Sequence, residues 1–218
     1  MEDKRPLRPQ VKGYDQAYEL SYQLARQRLA ANNDVARQCR LSGGQYRDDN
    51  SRRGIVLTYM GRPYTISLPE IDISPVDDTD EIPLKEKLLI LHYFNTARGT
   101  PPTNRLITFR ELPDGPVYSP TFTKRTVKPI VDRFGRDPEG LLSAAARIGG
   151  HRVAQGDTGV AFDAFPKVSV TMILWKGDEE FPPDGNVLLD ANVADYLPTE
   201  DITILCETIA WKLVRSAA

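Results

Sequence analysis

Four carboxylates near the end of the chain have residue types and spacing that could do chemistry: Asp178, Glu180, Asp190 and Glu200. They belong to the stretch Trp175 to Asp201, which holds eight acidic residues and a single basic one, Lys176. Oxygen ligands of this kind are what hard cations such as Mg²⁺ and Ca²⁺ select. A hairpin that brought Glu180 to Asp190 would build such a site, and a metal-dependent enzyme would follow from it. Paired carboxylates can also act as acid and base once burial separates their pKa values. The spacing does not match the DxDxDG…E calcium loop. Dense acidic runs more often face water or a basic partner, with those at a helix start meeting its dipole. Solvation therefore ranks first, a basic partner second and a metal third.

A second set combines aromatic faces with polar handles: Phe109, Arg110, Glu111, Tyr118, Trp175 and Phe181. That mixture lines ligand pockets, and it places the expected binding surface between segment 109–122 and the 175–201 hairpin. Each aromatic taken alone is more often ordinary core. Other chemistries lack their residues. No GxxxxGK[ST], GxGxxG or GxSxG occurs, so phosphate loops and nucleophile elbows find no support. Two cysteines, Cys39 and Cys206, and two histidines, His92 and His151, stand far apart. A structural zinc or an iron–sulfur cluster normally takes four ligands at close spacing. The thiols read as reduced and partly buried, His92 as a satisfied, partly buried helix residue, and His151 as exposed.

The elements that must position these residues follow from period and punctuation. Residues 1–13 are basic and proline-bearing, an extended arm; 14–218 read as one domain. Tyr14, Tyr18 and Tyr22 recur every four residues in a helix expected over 14–40, with Leu20, Leu24 and Ala25 flanking them. Packing is the expected role of that stripe, and docking of a partner subunit through it is a further reading. The segment from Gly54 alternates as strands around a Gly61-Arg62 turn, and 77–80 is a polar loop. Pro83 opens a helix with Leu84, Leu88, Leu91 and Phe94 on one face. Residues 106–112 read as a strand, 124–134 as a helix, and 137–150 as a helix with Asp137 as N-cap and Pro138 first. Val160 to Trp175 is β-forming, Asp184-Gly185 a turn, and Thr199 the cap of a last helix with Ile202, Leu205, Ile209 and Leu213 as its stripe. Helices and strands come in blocks, which defines an α+β fold with antiparallel sheets, a long N-terminal helix and a C-terminal helix.

Composition agrees with a soluble cytoplasmic protein: 40% of the 218 residues are hydrophobic and 27% charged. No apolar run reaches the roughly 18–20 residues of a membrane span, and residues 1–16 lack a signal-peptide core. A net charge of −2, without an RNP or helix-turn-helix signature, argues against nucleic acid as the partner despite the arginines of residues 1–53.

LITFRELPDGPVYSP at 106–120, FPKVSVTMILWKGDEEFPPDGNVLLDA from Phe165, and ADYLPTEDI ending at Ile202 carry a resemblance. With YDQAYELSYQLA and the Gly61 to Ile66 turn, they make the chain similar to a domain-of-unknown-function family of anaerobic bacteria and archaea. Some members of that family bear an added cysteine-rich iron–sulfur segment, which this chain lacks. The resemblance implies an accessory or binding protein without catalysis of its own, with a redox or corrinoid-dependent protein as partner. It names no cofactor.

Overall fold

The computed structural model describes residues 12–48, 53–77 and 81–217. The arm expected at 1–13 lies outside these residues up to position 11, as do most of the 77–80 loop and the side chain of Tyr14. The order is α1 (Lys12–Ala30), α2 (Val35–Ser42), β1 (Gln45–Asp48), β2 (Arg53–Tyr59), β3 (Arg62–Leu68), β4 (Ile73–Pro75) and α3 (Leu84–Thr96). Then come β5 (Leu106–Thr108), α4 (Gly115–Phe122), α5 (Lys128–Phe134), α6 (Pro138–Arg147), β6 (His151–Val153), β7 (Thr158–Phe165), β8 (Val168–Trp175), β9 (Asp184–Asp190) and α7 (Thr199–Ser216). The strands form two antiparallel sheets, β1-β2-β3-β4 and β5-β9-β8-β7-β6. The class is α+β, as expected.

Local chemistry explains most boundaries. The β2–β3 turn falls at Met60-Gly61, one residue before the expected Gly61-Arg62, because Arg62 already pairs with Tyr59; both turn residues take positive φ (49° and 74°), the pairing that lets a two-residue turn match the twist of the strands. Asp137 accepts from Gly140 N at 2.9 Å and Pro138 fills the first position of α6, as the sequence predicts.

Five further expectations are corrected. The 14–40 helix is broken at 31–34. Asn32 accepts from Asp34 N, and Asp34 accepts from Arg37 N, so the short polar side chains compete for backbone and start a new helix. The 106–112 strand stops at Thr108 and a 3-10 turn, Phe109–Glu111, follows. The 124–134 helix begins earlier, at Gly115, and runs through Pro120 into a π-helical turn, Thr123–Val127, before α5. Asp184-Gly185 lies within β9, not in a turn. Thr199 is the first residue of α7; its hydroxyl donates to Pro113 O and leaves that helix without a side-chain cap.

The core joins both sheets through α3. Leu88 to Leu91, Tyr93 and Phe94 are all buried, so α3 is enclosed on more than the single face its Leu/Phe spacing implied. Tyr93 stacks on Phe165 of β7 with ring centroids 4.1 Å apart, and Phe165 also meets Tyr59 of β2 at 5.0 Å. Such ring pairs add about 0.5–1.5 kcal/mol to area burial. Met60 N donates to Ala164 O across the sheets. Tyr22, Ala25 and Leu29 form the buried face of α1, while Leu20 and Leu24, expected beside them, point outward. Both cysteines are buried, and burial pushes the Cys39 thiol up to about 11 and Cys206 higher.

Candidate functional site

The loop Lys176–Pro183 joins β8 to β9 and forms one wall of the site. Asp178 folds it. Its Oδ1 accepts from Glu180 N at 2.8 Å and Phe181 N at 2.7 Å, and Phe181 O accepts from Asp178 N. The amides of Phe181 and Glu180 hold the Asp178 carboxyl below the usual carboxylate range. Lys176 N donates to Asp157 Oδ2 at 2.9 Å, which ties the loop to the β6–β7 turn. Pro182 and Pro183 then direct the chain into β9.

The facing wall is the turn between α5 and α6. A Cβ on Gly135 would fall 2.7 Å from the Pro183 ring, and one on Gly177 would fall 2.6 Å from it. Both positions therefore need glycine for the loop to close against the turn. Between the walls lies an open groove of about 570 Å³, bounded by Gly135, Arg136 and Pro138 on one side. Lys176, Gly177, Asp178 and Phe181 to Pro183 bound the other. Phe181 stands 67% exposed at its lip.

Of the six predicted aromatic and polar residues, Phe181 lines this groove. Phe109 is core, stacked on Phe122 at 3.9 Å. Glu111 accepts from Thr108 N and Oγ1, and the Thr108 amide lowers its pKa. Arg110 and Tyr118 are exposed. Trp175 is half-exposed at the end of β8, opposite Asp184. The expected surface between 109–122 and 175–201 thus divides, because β9 lies between β8 and β5. Among the described residues no ring contact joins Phe109 or Tyr118 to Trp175 or Phe181.

The predicted carboxylates divide too. Asp178 lies in the loop that leads into β9 and Asp190 at the far end of that strand, which is itself roughly 20 Å long at about 3.3 Å per residue. The structure does not bring Glu180 to Asp190. Glu180 is exposed on the loop and Glu200 in the first turn of α7. Asp190 is buried, and its oxygens accept from Thr103 N, Thr103 Oγ1, Asn104 N and Asn192 N at 2.7–3.0 Å. Burial raises its pKa, but these donors outweigh it and the net shift is downward. Among the described residues no three His, Cys, Asp or Glu stand where they could hold a metal ion. Two more carboxylates of the acidic stretch make long-range contacts: Asp195 meets Arg98 and Thr100, and Asp201 meets His92 Nδ1 at 2.7 Å. No ion pair among the described residues joins the arginines of 12–48 to this stretch.

The sequence reading missed Arg136 and Lys176. Their signal was weak, since one follows a glycine and the other a strand end, 40 residues apart. The architecture is that of an α+β protein with an open surface groove beside the β8–β9 loop. The chain belongs to the family described as a domain of unknown function, DUF3786, which matches residues 34–211. No curated protein and no solved structure matches the chain. No described helix is long and apolar enough to cross a membrane.

Proposed function

We propose that this protein is a non-catalytic binding or accessory protein that takes its ligand in the groove beside the 176–183 loop. The observation that carries this reading is Phe181, a large apolar ring held out of the core by a well-braced turn. Unburied aromatics over a concavity are contact surfaces. Two of the four predicted carboxylates serve the backbone: Asp178 braces the loop, and Asp190 clamps 103–104 and 192. The resemblance to relatives of anaerobes makes a redox or corrinoid-dependent enzyme system the first place to look for the partner.

The test is native mass spectrometry on wild type and Phe181→Ala, purified without oxygen from the native host. Wild type is expected to carry a stoichiometric ligand that the variant loses, with thermal stability changed by no more than about 0.5 kcal/mol, as for surface substitutions. A divalent metal retained by both, and lost on Glu180→Ala, would instead select the metal-dependent enzyme.

A second reading is a structural subunit docked through α1. Tyr22 is buried and Tyr18 partly so, hence the tyrosine face is occupied within the molecule. The opposite face carries Leu20 and Leu24, 63% and 55% exposed and one turn apart. Leu20→Ser with Leu24→Ser is expected to release a subunit held this way without lowering the melting temperature. An unchanged assembly in sedimentation would discard the idea.

A further inference from the structure

We infer that the groove takes a small planar anion, an apolar ring carrying a carboxylate or phosphate. This rests on the binding reading above and adds its chemistry. Phe181, Pro182 and Pro183 offer flat apolar contact on the loop wall. Arg136 and Lys176 bring one cation to each wall. Among the described residues neither side chain makes an ion pair or a hydrogen bond, and both are exposed. The one carboxylate in the lining, Asp178, is held ionised by two backbone amides of its own loop, so the two cations leave the lining one positive charge in excess. Asp137, next to Arg136, is likewise engaged as the N-cap of α6. Glu179 and Glu180 are exposed and do not line the groove.

Size selects a small molecule. About 570 Å³ falls within the roughly 300–1,000 Å³ of ligand sites. A protein interface engages about 20–30 residues a side, far more than the groove offers. A guanidinium fork recognises carboxylate and phosphate alike, whereas an ammonium acts as a point charge.

The test uses 1-naphthoate, 1-naphthyl phosphate and neutral 1-naphthamide in titrations followed by backbone amide shifts at low salt. At least one anion is expected to shift amides of 135–136 and 176–181, with naphthamide at least about tenfold weaker. The tighter anion identifies the oxyanion. Arg136→Gln and Lys176→Gln should each weaken that anion about 5–10-fold, since each removes one charge-assisted, solvent-screened hydrogen bond, and leave naphthamide unchanged. Both side chains are on the surface, so amide spectra elsewhere should match wild type. Naphthamide binding in the groove as tightly as naphthoate would overturn the anion inference and leave the binding reading standing. If none of the three shifts the groove amides, the inference falls, and the host-purified spectra decide the binding reading separately.

Discussion

Asp190→Ala should lower stability by about 3 kcal/mol, because three backbone N–H groups and one hydroxyl lose a buried, charged acceptor. Asp190 is 7% exposed and holds the loop 103–104 and the residue Asn192 to the end of β9. For a chain of this length each kcal/mol moves the melting temperature by about 2–4 °C, so a fall of roughly 6–12 °C is expected by calorimetry. Asp190→Asn keeps one acceptor oxygen and should lose about half as much. The folded-state pKa of Asp190 lies below its ordinary value. The folded protein therefore binds this proton less readily than the unfolded chain. The stabilisation is fully present above the unfolded carboxylate value of about 4 and is lost as pH falls through the lower folded value. The gap between wild type and Asp190→Asn should be constant above about pH 5 and narrow below it. A wild type that melts at a higher temperature with millimolar Mg²⁺ or Mn²⁺, while Asp190→Asn does not, would show a metal ligand in place of this clamp.

The second large effect falls on the strut between α3 and α7. Lys212 Nζ lies 2.7 Å from Glu86 Oε2, whose side chain is 7% exposed. Lys212 also sits over the Tyr59 ring at 5.7 Å. Burial first, and then the Glu86 charge, hold the Tyr59 hydroxyl well above its ordinary range. Lys212→Met leaves Glu86 as an uncompensated buried carboxylate. Breaking a buried pair on one side costs about 3–5 kcal/mol. The Lys212 side chain is 32% exposed, so water screens the pair and about 2–3 kcal/mol is the expected loss. Removing both charges as Glu86→Leu with Lys212→Met should restore stability to within about 1 kcal/mol of wild type. Urea unfolding of the four proteins in a double-mutant cycle measures the coupling. If the double variant loses as much as the two single variants added together, the strut contributes nothing through its charges.

His92 shows how far local reading extends. Its place in LILHYF, beside an apolar face, suffices to expect a satisfied, partly buried ring, and the structure bears that out. Its partner, Asp201, is 109 residues away. No spacing rule could name it, because tertiary packing alone sets α7 against α3. The α1 face is a different lesson. Leu20 and Leu24 have the right period for a core stripe, but Tyr18, Tyr22, Ala25 and Leu29 share another stripe on nearly the opposite side of the helix. Contact with α3 selected the second.

By itself the sequence determined the class, the capped start of α6, the presence of the β2–β3 hairpin, and the buried stripe of α7. Each depends on residues within about one helical turn or one hairpin, where backbone geometry and solvent preference act directly. Tertiary structure alone decided that β9 stands between the two halves of the expected surface, and that Asp178 and Asp190 lie at opposite ends of that strand. It also decided that Arg136 faces Lys176 across a groove. Strand order and loop packing are settled by which long-range contacts bury the most apolar surface, and residues 40 or more positions apart meet only as a consequence of that burial.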